Sequence, residues 1–148
     1  MNDKRNPIVA ETPVPEDFIK GALEGSPFQA WLGIKLQSID PNGVTFTCPF
    51  KDDIISNPVA KTVHGGVLAS VIDLGGLFAL MAVTDRVTST IDLKVDYHRP
   101  ATQGPLICTA RVIDMGGRIG TASTEVRLED GTLLASGRGL YNLRRPKA

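Results

Sequence analysis

The stretch that decides the fold runs over residues 65–84 and reads GGVLASVIDLGGLFALMAVT. It is apolar at nearly every position, it contains no proline, and small residues occur throughout it. A helix that is hydrophobic on all of its faces is normally buried on all sides. The stretch therefore predicts a long central helix that is buried on all sides, covered by a curved sheet and a partner surface.

The sequence before this helix predicts a loose arm followed by short helices. Residues 1–15 carry three prolines and few apolar anchors, which is typical of a flexible N-terminal arm. Pro15, Glu16 and Asp17 suit the first turn of a helix, and Gly25 is a plausible stop for it. A second short turn is expected through Trp31.

Alternating apolar and polar residues predict β-strands on both sides of the central helix. A hairpin at 34–39 and 44–48 turns at Asp40-Pro41-Asn42-Gly43, and residues 51–63 read as a loop. After the helix, strands are predicted at 88–98, 106–114, 119–128 and 132–143. One curved antiparallel sheet wrapped around the long helix satisfies this order, so the predicted fold class is α+β.

Length and composition limit the architecture and the classes of partner. The 148 residues suffice for one domain, which we place at 16–148. Lys+Arg and Asp+Glu both number 16, which argues against nucleic acid and is compatible with an oligomer. The sequence offers no signal peptide and no continuous apolar span, so we expect a cytoplasmic protein with no membrane partner. Two separated cysteines and two histidines predict no metal site.

The entrance to the central helix, His64-Gly65-Gly66, carries the first chemical signal. The first turn of a helix leaves backbone N–H groups without partners, and the helix dipole makes that end positive. Glycine lets a ligand approach those amides closely. The segment therefore suits an oxyanion or a polarised carbonyl oxygen. The alternative is an ordinary helix cap, with the histidine hydrogen-bonded to the backbone.

Asp73 carries the second signal, because it lies in the middle of this apolar helix. A carboxylate is costly to bury unless it is paired or used. The functional interpretation is a base or nucleophile whose pKa is set by its surroundings. The alternative is a structural acid that accepts a hydrogen bond from a neighbouring hydroxyl.

The spacing of these two signals predicts an oligomer. Residues 64 and 73 are two and a half helical turns apart, a rise of about 13 Å, and they lie on opposite sides of the axis. One chain cannot bring Asp73 to a carbonyl that its own Gly65 amide holds. Two chains related by a two-fold axis, with antiparallel central helices, can do so. If both groups are catalytic, the enzyme is at least a dimer.

Together with the segment from Thr90 to Ala101, TIDLKVDYHRPA, these motifs resemble the PaaI-type branch of the hotdog thioesterase superfamily. The resemblance covers roughly residues 30–143, and Gly117-Arg118 and the segment 134–139 also fit the closing strands of that family. It implies a hotdog fold and hydrolysis of a small aromatic or short-to-medium-chain acyl-CoA. It also implies a homodimer at minimum and a homotetramer as the expected assembly.

The resemblance also implies roles for individual residues. The Gly65 amide would polarise the thioester carbonyl, with Asn57 as a possible second donor, although Asn57 lies seven residues before the histidine and the family's asparagine often lies six before. Asp73 of the partner subunit would attack the carbonyl or activate a water that Thr90 helps to position. His64 would fix the loop and donate a hydrogen bond.

Coenzyme A is expected at the hairpin turn between the second and third strands after the helix. The resemblance maps this site to Gly116, Gly117 and Arg118, with Tyr97 nearby. Coenzyme A would be part of the substrate, so no separate cofactor is expected.

Two other functions fit the same fold. One is hydration or dehydration of an acyl thioester, which generally pairs a catalytic histidine with an acid. The other is a non-catalytic protein that binds acyl-CoA. The Gly-Gly continuation after His64 and the presence of Asp73 favour hydrolysis.

Overall fold

A computed structural model describes residues 11–144 of the chain. Its elements, besides a one-turn 3-10 helix at Asp52–Ile54, are α1 (Glu16–Gly25), α2 (Pro27–Leu32), β1 (Lys35–Asp40), β2 (Gly43–Cys48), β3 (Ile55–Asn57), β4 (Thr62–Val63), α3 (Gly65–Met81), β5 (Val87–Tyr97), β6 (Leu106–Met115), β7 (Ile119–Arg127) and β8 (Leu133–Leu143). The helices and strands predicted from the sequence are confirmed, with small shifts at their ends. The predicted loop at 51–63 differs, because it contains the 3-10 turn and the small β3–β4 hairpin.

Six strands form one antiparallel sheet in the order β1-β2-β6-β7-β8-β5. Helix α3 packs against this sheet and contacts β2, β5, β6, β7 and β8. The predicted α+β class, an antiparallel sheet with one long helix packed on it, is confirmed. Among the strands of residues 11–144, β5 pairs with β8 alone, so it forms an edge of this sheet.

Two glycines let α3 approach the sheet closely. A Cβ on Gly76 would lie 2.0 Å from the Tyr141 hydroxyl oxygen, and one on Gly75 would lie 2.6 Å from Thr124 Oγ1. In the space left free, the Tyr141 hydroxyl donates to the Asp73 carbonyl at 3.0 Å and Thr124 Oγ1 donates to the Ile72 carbonyl at 3.1 Å. Burial, and secondarily the charge of Asp73, raises the pKa of Tyr141, which keeps this hydroxyl a donor. The sheet thus holds α3 at the turn that carries Asp73.

We expect Gly76→Ala to destabilise the fold by about 3 kcal/mol, because overpacking adds to the loss of the Tyr141 hydrogen bond. Chemical denaturation monitored by circular dichroism measures this change. Gly21→Ala is the matched control, since Gly21 is exposed on α1 and a Cβ there meets no atom within 4 Å. The control should leave stability unchanged or raise it slightly. Equal midpoints for Gly76→Ala and the wild type would contradict the close approach.

The prediction that α3 is buried on all sides is wrong for one face of the single chain. Residues facing the sheet are buried, whereas the opposite face is only half-buried, and it comprises Val67, Ser70, Asp73, Leu74, Leu77 and Met81. The reason is geometric: one layer of six strands covers one side of a helix. Within residues 11–144, no helix combines the length and the apolarity that crossing a membrane requires.

The first described residues are attached to the end of α3, which the sequence did not lead us to expect. The Glu11 and Val14 amides donate to the carbonyls of Val83 and Met81, both at 2.9 Å. Buried Arg86 donates to both carboxylate oxygens of Glu11, at 2.7 and 2.9 Å. These hydrogen bonds, above all, lower the pKa of Glu11. Residues 1–10 of the predicted arm and residues 145–148 lie outside the described range.

Candidate active site

His64 is the N-cap residue of α3. Its Nδ1 accepts a hydrogen bond from the Gly66 amide at 2.8 Å, and its side chain is exposed. Because Nδ1 is an acceptor, the neutral ring carries its proton on Nε2. The cap therefore occupies the lone pair that a general base would need, and leaves the Nε2–H group as a donor.

The Gly65 amide is the open donor at this helix entrance. The Gly66 amide donates to the His64 ring and the Val67 amide to the His64 carbonyl, whereas no residue in the range 11–144 accepts from Gly65 N. The end of α3 concentrates positive potential at this group. An anionic or polarised oxygen placed here would receive a hydrogen bond in a favourable field.

The Tyr97 side chain packs against Gly65 at the start of α3. Its hydroxyl donates to the Gly65 carbonyl at 2.9 Å, and a Cβ on Gly65 would lie 3.3 Å from its ring. A cavity of about 260 Å³ opens beside it and is lined by Val63, Gly65, Leu68, Tyr97, His98, Arg99, Pro100 and Ala101. The tyrosine predicted to bind coenzyme A therefore belongs to the same cavity as the Gly65 amide.

Asp73 and Thr90 form the second half of the site. Thr90 Oγ1 donates to Asp73 Oδ1 at 2.7 Å, and Asp73 lies on the half-buried face of α3 next to the exposed strand β5. No described residue donates a hydrogen bond to Oδ2. This carboxylate does bond a neighbouring hydroxyl, but it retains one oxygen that can hold or deprotonate a water.

Within one chain the two halves are apart. Gly65 and Asp73 are eight residues apart on α3, a rise of about 12 Å. Their partners are likewise separated on β5, with Tyr97 beside Gly65 and Thr90 beside Asp73. A single carbonyl group cannot contact the Gly65 amide and the Asp73 carboxylate of the same chain.

Asn57 supports its own loop. Its Oδ1 accepts from the amides of Val59 and Ala60, both at 2.9 Å, and its side chain is exposed. The register of β3 against β4 shifts between Ile55 and Asn57. The extra residue of this irregularity is Ser56, which precedes Asn57, so it does not account for the seven-residue spacing between Asn57 and His64. No residue in the described range accepts from the Asn57 amide nitrogen, and its role as a second donor stays a prediction.

The turn predicted to bind coenzyme A lies at the other end of α3. Arg86 follows the C-terminal end of α3 and donates to the Gly117 carbonyl at 3.0 Å and to the Gly116 carbonyl at 3.4 Å. Arg118 is exposed. The structure thus does not bring this turn near Tyr97 of the same chain, because roughly the length of α3 separates them.

Sequence reasoning missed residues that support or flank the site. The Tyr141 hydroxyl bonds the helix turn that carries Asp73. In the sequence, the only indication of this residue was its inward position on a strand. Arg99 lines the cavity at Gly65, and its guanidinium donates to the Leu133 carbonyl at 3.1 Å. Nothing in the sequence distinguishes Arg86 from the other charged residues, and only the fold shows that it is buried.

Comparison with known proteins agrees with this architecture. Residues 60–135 match the model of the thioesterase superfamily. A Halobacterium salinarum protein named provisionally as an esterase is 32% identical over 74% of this chain and 75% of its own length. The Salmonella typhimurium protein YigI, named a medium/long-chain acyl-CoA thioesterase, is 26% identical over 78% of this chain and 84% of its own.

Solved structures that superpose on this chain belong to the same superfamily. An X-ray structure of a thioesterase-superfamily protein superposes with a TM-score of 0.82 at 37% identity, covering 86% of this chain and 97% of that one. Zebrafish thioesterase superfamily member 2 superposes with a TM-score of 0.75 at 25% identity, covering 86% and 94%. The PaaI-type branch stays a prediction. The chain belongs to the thioesterase superfamily and is a thioester hydrolase with the hotdog fold.

Proposed function

We propose that the protein hydrolyses an acyl-CoA to the free acid and coenzyme A, at sites shared between two subunits. The observation that carries the proposal is the division of the site within one chain: an open amide at Gly65 under Tyr97, and a carboxylate at Asp73 bonded to Thr90. YigI, to which the chain is similar, is named as an acyl-CoA thioesterase. The acyl group is a small aromatic or short-to-medium aliphatic one.

Strand β5 suggests how two copies would complete the site. It is an edge strand whose residues are mostly exposed, and it runs beside the half-buried face of α3. The register of β5 against β8 shifts between Thr90 and Asp92, and the side chains of Thr90 and Tyr97 both bond to α3. If β5 paired with its copy about a two-fold axis near Lys94, Thr90 would lie close to Tyr97 of the partner subunit. Asp73 would then face the Gly65 amide of the partner subunit.

In this arrangement the thioester oxygen accepts a hydrogen bond from Gly65 of the partner subunit. Asp73 accepts a proton from a water whose oxygen attacks the carbonyl carbon. Because the Thr90 hydroxyl donates to Asp73, its oxygen is free to accept a hydrogen bond from the same water. The tetrahedral intermediate collapses with cleavage of the C–S bond. The coenzyme A sulfur leaves and takes up the proton, and the carboxylic acid remains.

The turn at Gly116 and Gly117 offers positive charge for the phosphates of coenzyme A. Arg86 holds this turn through its two carbonyls, and Arg118, which follows in the turn, is exposed. A guanidinium group pairs well with phosphate. This supports the assignment of Gly116, Gly117 and Arg118 to coenzyme A, while Tyr97, which bonds the Gly65 carbonyl, would contact the part of coenzyme A nearest the thioester.

Release of coenzyme A thiol from a panel of acyl-CoA substrates tests this function directly. We expect steady thiol release with at least one short-to-medium acyl-CoA. Cys48 and Cys108 are buried, and burial raises the pKa of Cys48 to about 11 and that of Cys108 well above its usual value, so the native protein should contribute little background. A hydratase would consume unsaturated acyl-CoA without freeing thiol.

The assembly is tested by light scattering on the active protein. We expect a mass of two chains, or of four if dimers pair into the proposed homotetramer. An active monomer would contradict the shared site, because one chain separates Gly65 from Asp73.

A further inference from the structure

A second cavity, of about 570 Å³, lies at the C-terminal end of α3, away from the Gly65 entrance. It is walled by Thr12, Pro13, Val14, Pro15, Phe18, Met81, Asp85, Val87, Thr88 and Arg144. Its volume is within the range of small-molecule sites, and its wall is mainly apolar, with Asp85 and Arg144 as the charged members.

We infer that this cavity binds the acyl chain of the substrate, which makes a medium-chain aliphatic acyl-CoA the preferred class. The inference rests on the proposed function. Met81 belongs to the same half-buried face of α3 as Asp73, eight residues and about 12 Å further along, and Leu77 lies between them. A chain whose carbonyl carbon lies at Asp73 can therefore run over Leu77 into the cavity.

Phe18 is an exposed aromatic residue on the wall of this cavity. It is 61% exposed although it lines this cavity, while its neighbour on α1, Ile19, is buried at 1% exposure. Leaving a large aromatic side chain in water forgoes the free energy of its burial. An alkyl chain in the cavity would cover the ring and recover part of that free energy.

Hydrogen bonds fix the N-terminal part of the cavity wall to the end of α3 and to Arg86. The segment 11–14 is hydrogen-bonded to the carbonyls of Val83 and Met81, and Arg86 binds the Glu11 carboxylate. A pre-formed apolar wall costs little ordering when a ligand binds. Two of the four polar side chains of the wall already donate within the protein, Thr88 to the Asn142 carbonyl and Arg144 to the Asp85 carbonyl. The rest of the wall is apolar, which favours the alkyl chain over the amides of the pantetheine arm as its occupant.

Phe18→Ala and Thr12→Trp test the inference, with kcat/KM measured for butyryl-CoA and decanoyl-CoA. Removing the aromatic wall should lower the decanoyl-CoA value about tenfold, mainly through KM, and leave butyryl-CoA within about twofold. Thr12→Trp, which fills the cavity, should likewise act on the long substrate alone. Retained butyryl-CoA turnover shows that each variant is folded.

Phe28→Ala is the matched control. Phe28 is also exposed on a short neighbouring helix, but it stacks on Trp31 and does not line the cavity. This variant should leave the ratio of decanoyl-CoA to butyryl-CoA activity unchanged.

The outcomes separate this inference from the proposed function. If the wild type hydrolyses no acyl-CoA, the proposed function fails. If it hydrolyses butyryl-CoA and neither variant changes the chain-length ratio, only the acyl cavity is refuted. An equal loss on both substrates would assign the cavity to the coenzyme A portion that they share, and would also overturn the inference.

Discussion

Asp73→Asn is expected to reduce kcat for acyl-CoA hydrolysis by roughly three orders of magnitude or more while the protein stays folded and oligomeric. The substitution keeps the volume of the side chain and can still accept the Thr90 hydrogen bond through its amide oxygen. It removes the carboxylate that would take the proton from water. Thiol release under saturating substrate measures the effect.

Asp40→Asn provides the control for removing one carboxylate. Asp40 is exposed at the end of β1, in the hairpin at the opposite edge of the sheet from β5. Its replacement should leave kcat within about twofold, as for most surface substitutions. If Asp73→Asn behaved like this control, Asp73 would not be the base, and a non-catalytic acyl-CoA-binding function would become the better interpretation.

Gly65→Pro is expected to lower kcat by roughly 10²–10³-fold, because proline has no N–H and the variant loses one donor to the developing oxyanion. The backbone tolerates the change. Gly65 is the first residue of α3, a position where proline is favoured. His64 has φ −58° and ψ 129°, an extended conformation suited to a residue before proline.

Gly65→Ala controls for the added side chain at this position. It keeps the amide donor and introduces a Cβ that would lie 3.3 Å from the Tyr97 ring, as the proline ring also would. We expect a much smaller loss for alanine than for proline. Equal losses would mean that contact with Tyr97, and not the missing N–H, explains the effect.

Mixing the two defective proteins gives a direct test of the shared site. A heterodimer of Asp73→Asn and Gly65→Pro subunits contains one site with both defects and one site with neither. After unfolding and refolding together in equal amounts, about a quarter of wild-type activity should return, since half of the dimers are mixed and each has one intact site. No recovery would indicate that each chain carries its own complete site.

Much of the fold was predictable because local patterns determine it. The alternation at 106–114 and 119–128 with glycines between, and the turn at 40–43, report the inward and outward faces of strands without any knowledge of their neighbours. The helix beginning at Gly65 followed from an apolar run flanked by a loop. Strand order did not follow, because β5 pairs with β8, and such long-range pairing leaves no mark on spacing.

For the candidate site as well, the sequence indicated some of the residues and only the structure showed the rest. The sequence alone singled out Gly65 and Asp73, since a glycine pair at a helix start and an acid inside an apolar helix are unusual wherever they occur. Only the tertiary structure decided which neighbours they have: Tyr97 on one, Thr90 on the other, and Tyr141 beneath the turn of Asp73. These contacts join residues 17 to 68 positions apart in the chain, so the packing of strands on α3 creates them and no local pattern encodes them.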